Sequence, residues 1–398
     1  MRIGIFTDSF IPYTSGVVTS ILTFQKELSR LGHDIHIFAP SYPNFQQEEE
    51  QVYRFFSLPA PTNPDFSLAI PIYPGMNMLV RRLDLDIIHV QSPFTMGRVG
   101  LHYGRKYHIP VVFTYHTLYD QYVHYVPIAQ DLAREMAIKY SVSFCNHCSH
   151  VVVPSSEVET ILKQNEVKTP LSVIPTGVPL DKFESGDKEW LRRNYNIPAE
   201  NRVLLFVGRL SREKNLEFLI KAFRQVKERV ANSTLVLTAQ GPLESELKKL
   251  VPELGLSLER DVVFTGALPF DTLVNVYYSA DLFVFSSVTE TQGLVLIEAM
   301  AAGLPVVAVG AYGVQDMVDH EINGLLTPLD IEAFSDAISS LLLDNRRYRQ
   351  YQLNARQKAE SLSAGKMALK LEQLYQTLYD QSPPRYYRGC DLGRWLGS

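Results

Sequence analysis

The sequence predicts an α/β protein made of two domains, each built around a doubly wound parallel sheet. Short runs rich in Val, Ile, Leu and Phe alternate along the chain with segments whose apolar residues recur at helical spacing. This alternation stops near residues 175–200 and starts again at Arg202. The length of 398 residues is enough for two or three domains of about 150 residues each.

The first half begins with an apolar strand at residues 2–7, which a loop rich in Pro, Gly and Ser follows. Residues 17–31 carry apolar side chains at helical spacing, and Gly32 ends this predicted helix. The next strand, at residues 33–39, completes a β–loop–α–β unit, which favours a parallel sheet. Further strands are predicted at residues 86–90, 110–115, 151–154 and 171–174.

The second half repeats this alternation, with a turn predicted at Asn323 and Gly324 before the last helices. Its predicted strands are residues 202–208, 234–238, 262–265, 282–286 and 305–309, and its helices 215–230, 244–250, 271–278 and 293–302. Prolines and glycines cluster with charged residues between the halves, and we place the domain boundary there. The predicted domains are residues 1–178 and 179–365, and a C-terminal helix and tail, 366–398, is expected to pack on the first domain.

Composition and charge exclude several classes of protein. The net charge of −5 argues against a surface dedicated to nucleic acid, and three cysteines are too few for a disulfide scaffold. Asp8 interrupts the N-terminal apolar run too early for a signal peptide. The apolar stretch 293–314 contains Glu298 and Pro305, which favours a buried helix and strand over a membrane span. We therefore expect a cytoplasmic protein whose membrane contact is at most peripheral.

Candidate ligand-binding residues are sought after strands, because ligands of open α/β sheets bind at the carboxyl ends of strands. Glu290 follows a predicted strand, Gly293 begins a helix, and Glu298 lies about one and a half turns further along it. The free N–H groups at the start of that helix favour an anion, and the two carboxylates suit a polyhydroxylated ligand. Two glutamates at this spacing also occur by chance, so the strand–helix context carries the assignment.

A second group of candidates follows the first strand of the second half. Gly208 allows close approach of a ligand to the backbone, and Arg209 and Lys214 place two cations where a diphosphate would lie. The alternative is a solvated basic turn. In the first half, Gly16 stands at a strand–helix junction and His116 follows a strand, where it could donate a hydrogen bond or transfer a proton. Either residue could instead have a purely structural role.

Three other patterns are set aside. The loop at Gly16 is not Gly-x-Gly-x-x-Gly, and no acidic residue ends the second strand, which argues against a dinucleotide site. Asp84 and Asp86 precede a strand, at the wrong end for a ligand in this fold. The run Cys145–His150 crowds four potential ligands into six residues, too tightly to surround one ion. We therefore predict no metal site.

These motifs resemble those of the retaining GT-B glycosyltransferases of family 4, over residues 1 to about 380. Glu290, Gly293 and Glu298, with the following Ala-x-Gly303-x-Pro305, match the hallmark of that family. Further matches are Gly208, Arg209, Lys214 and Pro175-Thr-Gly-Val178. Two positions depart from the pattern, with Thr176 in place of the commoner Asn and Gln292 in place of the commoner Phe. Three runs look most similar to the bacterial monoglucosyl-diacylglycerol synthases: Gln91–Phe94, Thr114–Thr117 and Tyr122–Tyr125.

The resemblance implies a GT-B fold, with two facing Rossmann-like domains and a cleft between them, and it implies a role for each matching residue. The donor sugar would be held by Glu290 and by the backbone of Thr291, Gln292, Gly293 and Leu294, and the nucleoside ribose by Glu298. Arg209 and Lys214 would neutralise the diphosphate, with Gly208 beside them and Gly16 letting a loop close over the phosphates. Residues 264–268, ending at Leu268, would face the base, and His116 would contact the donor sugar near its 6-hydroxyl.

The implied activity is transfer of a hexose, with retention of anomeric configuration, from a nucleotide sugar to a glycerolipid such as 1,2-diacylglycerol. The expected donor is UDP-glucose, and no metal, other cofactor, nucleic acid or protein partner is implied. The motifs leave open UDP, GDP or ADP as the nucleotide, and glucose or galactose as the sugar. The alternatives are a soluble acceptor (a sugar, inositol or a phenolic compound), a two-lobed sugar-binding protein without activity, and a sugar-nucleotide epimerase.

A lipid acceptor predicts a surface that meets an anionic membrane. Residues 76–83 place apolar side chains beside Arg81 and Arg82, as an interfacial segment does. The tail mixes basic and aromatic residues suited to a headgroup region: Arg385, Tyr386, Tyr387, Arg388, Arg394 and Trp395. A tail that is disordered or packs on a domain is the alternative. The expected location is the cytoplasm, peripheral on the inner face of the cell membrane.

Overall fold

In a computed structural model, which describes residues 1–43, 45, 50–60, 63–119 and 130–382, the chain divides into two units. Unit 1 comprises Met1–Val153, Leu162–Ser172 and the described residues from Ala368 onwards. Unit 2 comprises Pro154–Ile161 and Val173–Met367. The segments 154–161 and 173–178, which were assigned to the first domain from the sequence, thus belong to unit 2.

The sheet of unit 1 has seven strands in the order β3-β2-β1-β6-β7-β8-β9, and the paired strands from β3 to β8 run parallel. A two-stranded antiparallel hairpin, β4–β5, stands apart from it. The strands are β1 (Arg2–Phe6), β2 (Asp34–Pro40), β3 (Val52–Phe55), β4 (Ser57–Ala60), β5 (Asn63–Ala69), β6 (Ile87–Val90), β7 (Val111–Thr114), β8 (His150–Val153) and β9 (Leu171–Val173). The helices of unit 1 are α1 (Gly16–Arg30), α2 (Met76–Leu83), α3 (Thr95–Tyr107) and α4 (Gln130–Cys145). Helix α5 (Ser156–Gln164) begins in unit 2 and ends in unit 1.

The sheet of unit 2 has six parallel strands in the order β12-β11-β10-β13-β14-β15. The strands are β10 (Arg202–Val207), β11 (Ser233–Thr238), β12 (Val262–Gly266), β13 (Leu282–Phe285), β14 (Val306–Val309) and β15 (Gly324–Thr327). The helices of unit 2 are α6 (Trp190–Tyr195), α7 (Leu216–Arg229), α8 (Glu244–Glu253), α9 (Phe270–Tyr278), α10 (Leu294–Ala301), α11 (Val314–Met317), α12 (Ile331–Leu343) and α13 (Asn345–Ser361). Helix α14 (Ala364–Asp380) begins in unit 2 and continues into unit 1. Strand β15 was not predicted from the sequence. Gly324, which was assigned to a turn, begins this strand and pairs with Val306.

Both sheets are doubly wound in the Rossmann sense. When only the strands of each sheet are counted, each order begins 3-2-1-4, so the direction of winding reverses between the first and fourth strands. These pairs are β1 and β6 in unit 1, and β10 and β13 in unit 2. The central strands β6, β7, β13 and β14 are buried along their whole length, as a sheet covered on both faces requires.

The C-terminal part of α14 belongs to unit 1 and is anchored there by two polar contacts. Tyr375 is fully buried, and its hydroxyl lies 2.6 Å from Nδ1 of His89 on β6. Glu372 accepts from Nε2 of His33 at 2.8 Å. Because buried polar groups need partners, these contacts fix the rotation of the helix against the sheet.

Candidate active site

The loops that follow β10 and β13 lie side by side at the carboxyl edge of the unit 2 sheet. The two strands are direct neighbours, with Leu204 opposite Leu282 and Leu205 opposite Phe283. Because the winding reverses between them, their loops diverge to opposite faces and leave a crevice in which ligands of this fold bind. Predicted site residues occupy both loops, 208–214 and 290–294.

An ion pair between Lys214 and Glu290 joins these two loops. Lys214 ends a 3₁₀ helix, Arg212–Lys214, and its ammonium group contacts Oε1 of Glu290. Both side chains are less than one-fifth exposed. Ser287 Oγ lies 3.2 Å from the same carboxylate oxygen, and Ser286 Oγ donates to the carbonyl of Lys214 at 2.7 Å. The crevice is therefore built around one positive and one negative group held in place.

Gly208 and Arg209 lie at the start of the first loop. Gly208 has φ +152°, and a Cβ atom there would come within 3.1 Å of the Phe206 ring, so the position favours glycine. The Arg209 side chain is exposed, and within the described ranges it has no ion pair with a carboxylate. Arg209 can therefore meet an anion without giving up a partner, whereas Lys214 must share its charge with Glu290.

Helix α10 begins at the second loop and directs its free N–H groups into the same region. Gly293 caps this helix with φ +83°, and a Cβ atom there would lie 2.9 Å from Leu296 Cδ1. Leu294 is the first helical residue. The first N–H groups of a helix have no partner within it, and the helix dipole makes this end favourable for an anion or for oxygen-rich groups.

The side chain of Gln292 has a structural role. It is buried, and it pairs with the backbone of Thr176 in both directions: Nε2 donates to the Thr176 carbonyl at 2.7 Å, and Oε1 accepts from the Thr176 N–H at 2.9 Å. These are the two positions that depart from the family pattern, and they contact each other. Thr291 accepts through its carbonyl from the Ser155 hydroxyl at 2.7 Å. The loop is therefore clamped from two sides.

Glu298 lies on α10, half-buried, with one oxygen engaged. The Tyr277 hydroxyl donates to its Oε2 at 2.7 Å. Burial raises the pKa of Glu298, and the hydrogen bond from Tyr277 partly offsets that rise. Leu268, half-buried, follows β12 at the same edge of the sheet and packs on the core. The carboxyl edge of unit 2 thus carries its predicted residues in a row along β12, β10 and β13.

His116 follows β7 in unit 1, and Gln91 follows the neighbouring strand β6. His116 Nε2 lies 2.7 Å from Gln91 Oε1, and because a carbonyl oxygen only accepts, the ring donates from Nε2. Burial lowers the pKa of His116 to about 4, so the ring is neutral at pH 7. His89 lies on the neighbouring strand β6. Burial and the nearby His116 lower the pKa of His89 to about 3.

Gly16 and Asp8 lie in the loop region after β1. Gly16 is the exposed first residue of α1, and Ser15 caps the helix by accepting from the Val18 N–H at 3.3 Å. Asp8 is buried, accepts from the Met96 N–H at 3.0 Å and from the Ser92 hydroxyl, and has its pKa raised by burial. Asp8 was not predicted as a site residue, although its position shortly after β1 satisfies the same rule as Glu290.

The residues set aside as metal ligands have other partners. Asp84 pairs with the Arg2 side chain at 2.5 Å, and Asp86 accepts from the Arg2 N–H at 2.9 Å, at the amino end of β6. Burial raises the pKa of Cys145 to about 12, and His150 Nε2 lies 2.9 Å from Ser172 Oγ. No group of three or more His, Cys, Asp or Glu side chains able to hold a metal ion occurs in the described part of the chain.

Two predicted features lie outside the described residues. One is the run Tyr122–Tyr125, which contributed to the resemblance. The other is the basic and aromatic tail, with Arg385, Tyr386, Tyr387, Arg388, Arg394 and Trp395.

Comparison with known proteins identifies the class of protein to which this fold and this candidate site belong. The model of the family described as glycosyl transferases group 1 matches residues 187–358, and that of Glycosyltransferase Family 4 matches residues 14–182. The solved structure of Anabaena HepE in complex with UDP-glucose has a TM-score of 0.76 at 21% identity, over 95% of this chain and 100% of that one. The class is therefore that of the GT-B glycosyltransferases.

Two curated relatives place the chain more closely. An alpha-monoglucosyldiacylglycerol synthase of Streptococcus pneumoniae is 35% identical over 82% of this chain and 75% of the relative. A protein of the same name from Acholeplasma laidlawii is 30% identical over 77% of this chain and 80% of the relative. The chain belongs to glycosyltransferase family 4.

Proposed function

We propose that the protein is a retaining hexosyltransferase that moves glucose from UDP-glucose to a free hydroxyl of a glycerolipid such as 1,2-diacylglycerol, forming an α-glycoside. The observation that carries the donor site is the meeting of Lys214 and Glu290 where the winding of the unit 2 sheet reverses. The names of the two curated relatives support the sugar and the acceptor.

The donor binds along the carboxyl edge of unit 2. Glu290 accepts hydrogen bonds from the sugar hydroxyls, and the N–H groups at Gly293 and Leu294 donate to the sugar or the phosphate. Glu298 accepts from the ribose with Oε1 while Tyr277 holds Oε2. The base lies beside residues 264–268. Because Gln292 is clamped to Thr176, it contributes through its backbone, and its side chain holds the loop in position.

The transfer step needs stabilisation of the leaving diphosphate. The bond between C1 of glucose and the β-phosphate oxygen breaks, and its electron pair stays on that oxygen. The acceptor hydroxyl oxygen bonds to C1 from the same face, and its proton passes to the leaving phosphate oxygen. Arg209 and Lys214 stabilise the negative charge that develops, together with the N-terminus of α10. We propose that these groups supply the charge for which other enzymes use a metal ion.

His116 acts on the sugar side of the reaction. Its neutral ring contacts the donor sugar near the 6-hydroxyl and tolerates the positive charge that develops at C1, which a charged imidazolium would oppose. Gln91 holds the ring orientation through the bond to Nε2. In this proposal Gly16 leaves the start of α1 open to a phosphate.

In this proposal, unit 1 binds the acceptor. Its described surface carries large exposed apolar side chains, among them Phe56, Leu58, Leu68, Ile72 and Met78. Such surfaces are typical of interaction with other proteins or membranes, and α2 adds Arg81 and Arg82 for an anionic bilayer. None of the described helices is long and apolar enough to cross a bilayer. We propose peripheral attachment to the inner face of the cell membrane.

A donor and acceptor screen read by mass spectrometry tests this function. The protein is incubated with UDP-, GDP- and ADP-hexoses, crossed with diacylglycerol in mixed micelles and with soluble sugars, inositol and phenols. We expect a hexosyl-diacylglycerol product with UDP-glucose, and equal activity when EDTA is added. Turnover with a soluble acceptor alone would contradict a lipid acceptor and favour the soluble one. If calorimetry finds no nucleotide binding, the alternative of a sugar-binding protein without activity would be favoured.

A further inference from the structure

Unit 1 contains an apolar cavity of about 590 Å³ that none of the predicted site residues lines. One wall is the outer face of α3, with Thr95, Val99 and His102 at positions i, i+4 and i+7. The opposite wall is the segment after β5, with Ile72 and Tyr73. A volume of this size is within the range of small-molecule pockets.

Most of the lining is aliphatic or aromatic. The Tyr73 ring lies 5.1 Å from the Phe55 ring, and Met76, Val99 and Tyr103 complete the apolar surface. Arg98 is the charged member, and its Nε already donates to the Tyr140 hydroxyl at 2.9 Å. A ligand that fits this lining is an apolar chain, because most of the cavity offers few polar partners.

One end of the cavity, at Thr95, lies after β6, at the same carboxyl edge of the sheet where His116 follows β7. Thr95 starts α3 four residues after Gln91, whose side chain holds His116. Asp8 fixes the first turn of α3 to the end of β1 through the Met96 N–H. Phe94, half exposed, lies between Gln91 and Thr95, and its ring is 5.5 Å from that of Tyr119. A molecule in the cavity can thus place one end at the carboxyl edge where His116 lies.

The described surface of unit 1 carries large exposed apolar side chains, and one of them, Ile72, belongs to the wall of the cavity. Ile72 in the wall is 71% exposed, and Phe56 and Met78, close in sequence to Phe55 and Met76, are 64% and 76% exposed. Leu58 and Leu68 are cross-strand partners in the hairpin β4–β5 and share one exposed face. The basic end of α2 complements the phosphates of a bilayer. These features point to a lipid surface as the source of the occupant.

We propose that this cavity, the acyl groove, binds an acyl chain of the glycerolipid acceptor and so places the free hydroxyl at the edge where His116 lies. The inference rests on the proposed lipid acceptor and names how that acceptor is recognised. It assigns Val99, Ile72 and Tyr73 as residues that select for chain length.

Filling the groove tests the proposal. Val99→Trp is expected to lower kcat/KM for dilauroylglycerol by about tenfold or more, because one apolar chain loses its site. It should leave kcat/KM for dihexanoylglycerol, and the KM for UDP-glucose, within twofold. The matched control is Leu22→Trp on α1, an exposed apolar position of the same unit. Equal loss with both lipids, or loss with neither, would overturn the groove, whereas no transfer to either lipid by the unaltered protein would overturn the proposed function instead.

A binding measurement guards against a folding defect in Val99→Trp. Tyr73→Trp places an indole in the groove wall with little change in shape. Vesicles that contain diacylglycerol brominated on its acyl chains are expected to quench the additional fluorescence of Tyr73→Trp, and to quench that of Leu22→Trp much less. Equal quenching of the two variants would contradict an acyl chain in the groove.

Discussion

Lys214 and Glu290 are 76 positions apart in the sequence, yet their side chains form an ion pair that joins the loops after β10 and β13. Both side chains are largely buried, and in the free protein each charge is paired with the other. In the proposed donor complex, the Lys214 ammonium group pairs with a phosphate, and the Glu290 carboxylate accepts hydrogen bonds from sugar hydroxyls. The pair thus keeps both groups in place in the free protein without the cost of an unpaired buried charge.

Loss of the Glu290 charge is expected to abolish most of the turnover. Glu290→Gln keeps the shape of the side chain but weakens its bonds to the sugar hydroxyls and leaves Lys214 without an anionic partner. We expect kcat for transfer from UDP-glucose to fall by on the order of 10²-fold. Glu217→Gln, the same change on the exposed start of α7, is the control and should retain full activity. An unchanged kcat in Glu290→Gln would remove Glu290 from the site.

Arg209 is expected to act on the donor with little effect on stability. The side chain is exposed, so Arg209→Ala should change the free energy of unfolding by no more than about 0.5 kcal/mol. Loss of a charged hydrogen bond to the diphosphate should raise the KM for UDP-glucose about 10- to 100-fold. Arg212→Ala, a nearby exposed arginine of the same loop, is the matched control. Steady-state kinetics that find equal KM values in the two variants would contradict the assignment.

The buried histidines predict how stability depends on pH. The pKa values of His89 and His116 in the folded state, about 3 and about 4, lie below the ordinary value of 6.5. As pH falls below 6.5 the unfolded chain takes up protons first, so the contribution of these two histidines to stability is constant above this pH and is lost as pH falls from 6.5 towards 4 and 3. His89 alone gives a slope of up to about 1.4 kcal/mol per pH unit in this window.

Urea unfolding at several pH values checks this dependence. His116→Gln should show a smaller slope between pH 6.5 and 4 than the unaltered protein. NMR titration of the His116 ring should find it neutral throughout pH 6–8. A measured pKa near 6.5 would show that the ring is solvated and would remove the argument for a neutral His116.

The Gln292–Thr176 pair is expected to hold the donor loop. Gln292→Ala leaves the buried N–H and carbonyl of Thr176 without their side-chain partner, which should lower the free energy of unfolding by about 1–3 kcal/mol. Since the loop that carries Glu290 is released, the KM for UDP-glucose should also rise. Gln315→Ala removes an exposed glutamine with one long bond of 3.4 Å and should change neither quantity. Normal stability of Gln292→Ala would show that the clamp contributes nothing.

Most of the sheet could be predicted from the sequence because buried parallel strands are continuous apolar runs. The predicted strands 202–208 and 282–286 correspond to Arg202–Val207 and Leu282–Phe285, with one residue of difference at one end. Strands β4 and β5 were not predicted, since each contains a proline and their exposed Leu58 and Leu68 do not give a buried pattern. Strand β15 was missed because its first residue is Gly324, which was assigned to a turn.

The candidate site could be located in part, because one rule places ligand residues after strands. That rule found Glu290, Arg209 and His116, each of which lies in the loop that follows a strand. It did not show that Lys214 meets Glu290, nor that Tyr277 holds Glu298, since those contacts join segments far apart in the chain. The role of Gln292 was equally hidden, because a side chain that pairs with backbone carries no motif of its own.

The proposed reaction has UDP-glucose as the donor and 1,2-diacylglycerol as the acceptor, and it retains the anomeric configuration. Proton NMR of the glycolipid formed from UDP-glucose and diacylglycerol in mixed micelles tests all three parts together. We expect a single product in which the glucose is linked to the glycerol as the α-anomer, and we expect Glu290→Gln to form that product on the order of 10²-fold more slowly. A β-linked product, or no glycolipid while a soluble acceptor is glucosylated, would contradict the proposed reaction.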